Sequence, residues 1–231
     1  MRFSNEWKSA ISRHDVMTLD HRLSAVTRQD YHAGSGSYVV HSLYFEEMDG
    51  FPRHIADEAL RKTERFRIRY YDDNLDLIKL EKKSESNGTS VLEDCEITRE
   101  FLSCVLNRDF SNIVKDPWGR TGEDLDPLVQ EFYWNLVGRG MTPRMIVDYS
   151  RKPYIYPHGD VRVTIDTDFK TSTDVSGFMN PGKFDNIPGD GRCFIKVKWN
   201  SYLPEMIRST ISLINRKTTS YYLYEPLKMF V

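Results

Sequence analysis

Residues 65–71, RFRIRYY, alternate strictly: Arg65, Arg67 and Arg69 occupy every second position, with Phe66, Ile68 and Tyr70 between them or beyond. Successive side chains of a β-strand point to opposite faces, so this period of two predicts a strand with one cationic and one apolar face. The pattern recurs. Lys79, Glu81 and Lys83 oppose Ile78 and Leu80; Arg162, Thr164 and Asp166 oppose Val161, Val163 and Ile165; Lys196 and Lys198 oppose Ile195, Val197 and Trp199. Further strands are predicted over 38–46, which is rich in β-branched and aromatic residues, over 89–98, and over 143–156, which carries Arg151. Asn87-Gly88 marks a tight turn between the strands 75–85 and 89–98. A second turn at Pro157 to Gly159 separates 143–156 from 159–169, and Gly189-Asp190-Gly191 leads into the strand at 191–199.

A period near 3.6 appears elsewhere. Residues 14–28 read as a helix with Val16, Leu19, Leu23 and Val26 inward, after a short amphipathic start at 3–11. Helices are also predicted over 52–64, about 98–107, 125–137 and 203–216, the last with Pro204 in its first turn. Residues 32–37 are predicted to be a loop. Strands joined by hairpins and helices, with no internal repeat, predict an antiparallel α+β fold.

Composition adds bounds. A chain of 231 residues is long enough for a substantial core and is read as one domain over 1–231. The net charge of −2 gives no overall basic field, which argues against a nucleic-acid partner and makes each local cluster of cations a matter of placement. Cys95, Cys104 and Cys193 are odd in number and widely spaced, as free thiols in a reducing compartment would be. No apolar run approaches the roughly 18 residues a bilayer span needs. The N-terminus lacks the apolar centre of a signal peptide. A cytoplasmic location is the expectation. No glycine-rich phosphate loop, nucleophile elbow or paired-cysteine metal motif is present, and the histidines lack metal-ligand spacing.

An antiparallel sheet ordinarily turns such charged faces to water. If the sheet closes into a barrel, the same faces line a channel. Enclosed guanidinium groups then need anions, from neighbouring carboxylates or from a ligand. Arginine grips phosphate bidentately and lysine adds a point charge, so a basic lumen suits phosphate chains.

In their order and spacing, "NEWKSAIS", "HSLYFEE", "RFRIRYYDD", "IKLEKKSESNG", "PRMIVDYSRKPYI", "DVRVTIDTD" and "KVKWNSYLPEMIR" carry a resemblance over nearly the whole chain. The sequence resembles the VTC domain, the polyphosphate-polymerase branch of the triphosphate tunnel metalloenzymes (CYTH-like superfamily). The resemblance implies an eight-stranded antiparallel β-barrel tunnel with helices packed outside. It implies a lumen that holds polyphosphate, a nucleotide triphosphate or another polyanion, and manganese or magnesium as cofactor where the domain is active. The phosphate-binding positions it implies are Lys8, Arg67, Arg69, Lys83, Arg151 and Arg162. Arg65 faces the same way but matches the motif less closely.

Three positions depart from the pattern. Lys196 stands where the family has its metal-binding glutamate, Leu92 where it has a tunnel lysine after the Asn-Gly turn, and Leu223 where it has a lysine near the C-terminus. Asp94 and Glu96 share the face of Leu92 and are candidates to pair with Lys196. Glu81 is a candidate substitute metal ligand or a partner for a nearby cation. A cation in place of a carboxylate repels a divalent metal, and metal neutralisation of charge is central to phosphoryl transfer. Three readings follow: a polyanion-binding domain impaired in catalysis and working without a cofactor, an active polymerase or triphosphatase with rearranged metal ligands, and a non-catalytic interaction module with an ion-paired lumen. No protein partner is named by the sequence.

Overall fold

The computed structural model describes residues 5–30, 33–34, 36–46, 63–86, 89–110, 124–180, 187–188 and 191–213. In chain order its elements are β1 (Asn5–Ile11), α1 (Arg13–Val26), β2 (Arg28–Gln29), β3 (Tyr38–Glu46), β4 (Thr63–Tyr71), β5 (Asn74–Ser86) and β6 (Thr89–Ile97). They continue with α2 (Arg99–Asn107), α3 (Pro127–Gly138), β7 (Thr142–Tyr156), β8 (Val161–Ser172), β9 (Ile187–Pro188), β10 (Cys193–Trp199) and α4 (Glu205–Ile211). Backbone pairing follows the order β1-β10-β8-β7-β3-β4-β5-β6, with β2 on β7 and β9 on β8. The fold is therefore an eight-strand antiparallel sheet, extended by two short strands, with four helices. Among the described residues the pairing path ends at β1 and β6. The α+β class matches the sequence expectation, and barrel closure is not part of the observed pairing.

The chain divides into two compact units. The first comprises Met1–Val40, Asp148–Thr171 and Asn186–Val231; the second comprises His41–Val147 and Ser172–Asp185. In the first, the apolar faces of β8 and β10 (Val161, Val163, Ile165, Ile195, Val197) share a core with Leu19 and Leu23 of α1 and Ile207 and Ile211 of α4. Val16 and Val26 pack against this core, as the helical period predicted. Helix α1 starts at a capping box: the Ser12 side chain accepts from the Asp15 amide, and the Asp15 carboxylate accepts from the Ser12 amide. The amphipathic start at 3–11 is strand β1 from Asn5 onward. In the turn after β7, Gly159 has φ +84°, where a side chain would strain the backbone, and a Cβ there would crowd the Tyr202 carbonyl oxygen at 3.0 Å.

In the second unit, Phe66, Ile68 and Tyr70 of β4 and Ile78 and Leu80 of β5 are buried with Phe101, Leu102 and Val105 of α2 and Phe132 and Leu136 of α3. Phe132 is central, with Phe45 edge-on at 5.0 Å and Phe66 at 5.4 Å between ring centroids. Helix α2 is capped by Thr98, and α3 by Asp126 with Pro127 at its first position.

Two helix expectations are corrected. Of the helix expected over 52–64, residues 52–62 lie outside the described residues, and Thr63 and Glu64 begin strand β4. Their β-branched and alternating context with Arg65 onward overrides the local helical pattern. Of the helix expected over 203–216, residues 214–216 lie outside the described residues, and the described part is helical over Glu205–Ile211, with Pro204 as its N-cap rather than inside the first turn. The Asn87-Gly88 turn and Leu223 lie outside the described residues. Among the described residues no helix is long and apolar enough to cross a membrane.

Candidate functional site

Strand register decides which charges meet. In the second unit β4 and β5 pair Arg65 with Lys83, Arg67 with Glu81 and Arg69 with Lys79. Strands β5 and β6 pair Lys79 with Glu96, Glu81 with Asp94 and Lys83 with Leu92. Directly opposed residues share a face, so all of these side chains stand on one face, the one opposite Phe66 and Ile68. Glu81, only 4% exposed, lies at its centre. Its Oε2 accepts from Arg67 Nε and Nη2 at 2.5 Å each and lies 3.5 Å from Arg69 Nη1. Arg69 Nε donates to Ser42 Oγ at 3.1 Å, and Arg67 Nη1 reaches Tyr44 Oη at 3.5 Å. Burial would raise the Tyr44 phenol's pKa, but Arg67 and Arg69 beside it outweigh that and lower it. Lys79 pairs with Asp94 at 3.2 Å and Lys83 pairs with Glu85. The arginine face is therefore largely neutralised from within. Asp94 takes Lys79 on the neighbouring strand as its partner.

The first unit carries the other face. Strand β1 pairs Glu6 with Lys198 and Lys8 with Lys196; strand β8 pairs Arg162 with Lys198, Thr164 with Lys196 and Asp166 with Phe194. Arg151 on β7 grips Asp166 with two bonds of 2.7 Å, from Nε to Oδ1 and from Nη2 to Oδ2, and also donates to Tyr149 Oη at 3.0 Å. Burial opposes the charge on Arg151, yet Asp166 and Tyr149 outweigh it and hold the guanidinium firmly protonated. Arg162 Nη2 lies 3.0 Å from Asp30 Oδ2 and 3.4 Å from Tyr38 Oη. Glu6 pairs with Lys8 at 2.5 Å and Lys198 at 3.4 Å. Burial would raise the Glu6 pKa, but the surrounding Lys196, Lys8 and Lys198 lower it to about 2.

Lys196 differs from these. It makes no ion pair among the described residues, although Lys8 stands opposite it. Burial of its ammonium, then the nearby Arg151, push its pKa well below the usual lysine value; Asp166 and Glu6 offset this only in part, and Lys8 adds to the repulsion. Two donors on the same face lack partners as well: the buried Thr164 Oγ1 and Arg162 Nε. A buried donor without an acceptor costs free energy, and such groups are rare unless something else fills the need.

Of the positions expected to bind phosphate, the structure groups Arg67, Arg69 and Lys83 on the second unit's face and Lys8, Arg151 and Arg162 on the first unit's face. Each is already engaged with a carboxylate of its own unit, at Glu81, Glu85, Glu6, Asp166 or Asp30. Sequence reasoning did not single out Glu6, Asp30 or Thr164 as part of the site. Glu6 was legible as the alternate residue before Lys8; Asp30 has no local signal. Lys82 was also missed. It lies in the apolar register of β5, where a lysine breaks the alternation, and its ammonium bridges Glu131 at 2.5 Å and Glu64 at 3.2 Å.

Fold and faces define an antiparallel α+β domain with basic strand faces. The VTC domain family model matches residues 3–222, and the chain belongs to that family. Among solved structures it is similar to a "putative adenylate cyclase" from Bacillus halodurans, at 14% identity and a TM-score of 0.52, covering 94% of this chain and 95% of that one. It is also similar to the PH1819 protein of Pyrococcus horikoshii, at 13% identity and a TM-score of 0.44, covering 99% and 88% of the two chains. At such identities the first of these likenesses speaks to fold alone. No curated protein matches the chain.

Proposed function

We propose that this VTC domain binds phosphate chains or a related polyanion through its basic strand faces and is impaired in metal-dependent phosphoryl transfer. The closed tunnel implied by the family belongs to the same proposal, with Lys8, Arg67, Arg69, Lys83, Arg151 and Arg162 as its phosphate-binding groups. The observation that carries it is the first unit's face, where Lys8, Lys196, Lys198, Arg151 and Arg162 outnumber the carboxylates of Glu6, Asp30 and Asp166 and two buried donors lack acceptors. An anion with several oxygens supplies both the missing negative charge and the missing acceptors.

The divalent cation that the family uses does not fit the donors present. Among the described residues no three His, Cys, Asp or Glu side chains converge. Glu81 is engaged by Arg67 and Arg69, and Asp166 is engaged by Arg151. Lys196, at the position of the family's metal glutamate, brings a nitrogen and no hard oxygen ligand. Polyanion binding without efficient turnover is what these substitutions support.

Calorimetric titration with long-chain polyphosphate at low salt tests the reading. Binding is expected, and it should weaken as salt screens the charges. No binding at low salt would overturn it. The impairment is tested separately by incubating the protein with ATP and manganese. Robust polyphosphate synthesis would refute impairment and leave polyanion binding intact.

A further inference from the structure

Thr164 and Lys196 are directly opposed on neighbouring strands and therefore share a face. Thr164 is 5% exposed and its hydroxyl makes no hydrogen bond. Lys196 has no carboxylate partner, while Lys8 opposes it from β1. A side chain with an unused donor stands beside a lysine amine crowded by cations, and both would be satisfied by one tetrahedral oxyanion. Resting on the polyanion-binding reading above, we propose that Thr164 and Lys196, assisted by Lys8 and Arg151, form an oxyanion subsite that fills together with a proton.

The charge balance explains the proton. With the site vacant, an ammonium at Lys196 faces Lys8 on β1, Arg151 on β7 and Lys198 on its own strand. Glu6 and Asp166 are the carboxylates that face it, and each already holds other cations. Arg162 on β8 is engaged with Asp30, and the hydroxyls of Tyr149 and Tyr38 face Arg151 and Arg162. Burial and like charge thus favour the neutral amine, consistent with the lowered Lys196 pKa. An oxyanion reverses that preference, and the amine takes one proton from solvent as the anion docks. The Thr164 hydroxyl donates to one anion oxygen and Lys196 Nζ to another. Binding is therefore strongest below the vacant-site pKa of Lys196 and weakens as pH rises above it.

Sulfate is the probe, because its charge is constant over pH 6–9. Titrations in buffers of different ionisation enthalpy should show uptake of up to one proton per sulfate. Over the window between the vacant and occupied pKa of Lys196, affinity should fall by about tenfold per pH unit. Lys196→Arg keeps a permanent cation, so sulfate binding should persist with no proton uptake and a flat pH profile. Thr164→Val keeps the side-chain shape and should weaken sulfate binding about tenfold while retaining the proton uptake. Binding by the wild type without proton exchange would overturn the proposal, as would a retained pH slope in Lys196→Arg or undiminished affinity in Thr164→Val. Polyphosphate binding without sulfate binding would overturn the subsite alone. Failure of both ligands would overturn the subsite and the polyanion-binding reading together.

Discussion

The arginine face of the second unit and the lysine-bearing face of the first start from the same sequence pattern, cations at every second position of a strand. In the second unit, Glu81 stands opposite Arg67 and within reach of Arg69, so one buried carboxylate serves two guanidinium groups. In the first unit, the residue opposite Lys196 is another lysine on one side and a threonine on the other. The difference lies in register alone. An antiparallel pair places whatever the partner strand carries at that position directly opposite, and one face came out internally neutralised while the other kept surplus charge. Composition cannot distinguish them, because both strands look equally cationic.

The strongest way to test the contrast is to remove one carboxylate from each face. Asp166→Asn should leave the Arg151 guanidinium, of which 12% of the side chain is exposed, with Tyr149 Oη but without its carboxylate, and cost about 3–5 kcal/mol, read as a lowered denaturant midpoint. Glu81→Gln should cost less, about 1–3 kcal/mol, because the Arg67 side chain is 20% exposed and can take up water, while Arg69 keeps Ser42 as a partner. That variant should also bind tripolyphosphate more tightly than the wild type, since two guanidinium groups are released. An equal loss of stability at the two sites would erase the contrast between a shared and a dedicated ion pair.

Lys196→Met should stabilise the protein by about 1 kcal/mol at neutral pH, because it removes an amine whose protonated form is disfavoured by burial and by neighbouring cations. The sign follows from the lowered Lys196 pKa: the unfolded chain binds the proton more readily than the folded one. The cost is full below the folded pKa and disappears as pH rises to the ordinary lysine range. The advantage of Lys196→Met in thermal unfolding should therefore be large in acid and shrink in alkali. A constant advantage at all pH values would show that lost packing or gained apolar contact, not charge, is responsible.

Glu6 gives an effect of opposite direction. Its carboxyl is lowered from 4.5 to about 2, so it contributes stability above pH 4.5 that is lost as pH falls through about 2. Glu6→Gln should be less stable than the wild type at neutral pH, and the two should converge in strong acid. The smallest expected change is Leu92→Lys. Leu92 is 45% exposed on the arginine face, so the substitution should alter stability by no more than about 0.5 kcal/mol. Its measurable consequence should be a modest rise in tripolyphosphate affinity, with a steeper salt dependence.

Much of the architecture was legible because period-two alternation and buried cores obey the same local rule. Strands β3, β4, β5 and β6, the faces of β8 and β10, and the inward stripe of α1 all follow from where apolar residues recur. The segment at 63–64 was misread because two residues belong equally well to a helix end or a strand start, and pairing with Ser84 and Glu85 on β5 decided between them. Lys82 was missed for a related reason. Alternation assigns a lysine in that register to an apolar face without revealing that Glu64 and Glu131 wait for it there.

By itself the sequence determined the strands, their charged and apolar faces, the α+β class and the family, since these depend on side chains a few residues apart. Tertiary structure alone decided which charges became partners. Arg151 meets Asp166 across 15 residues of chain, Arg162 meets Asp30 across more than a hundred, and Lys196 meets Lys8 instead of a carboxylate. Ion pairing acts over a few ångströms in space, and strand register, which sets that distance, depends on the packing of both strands at once.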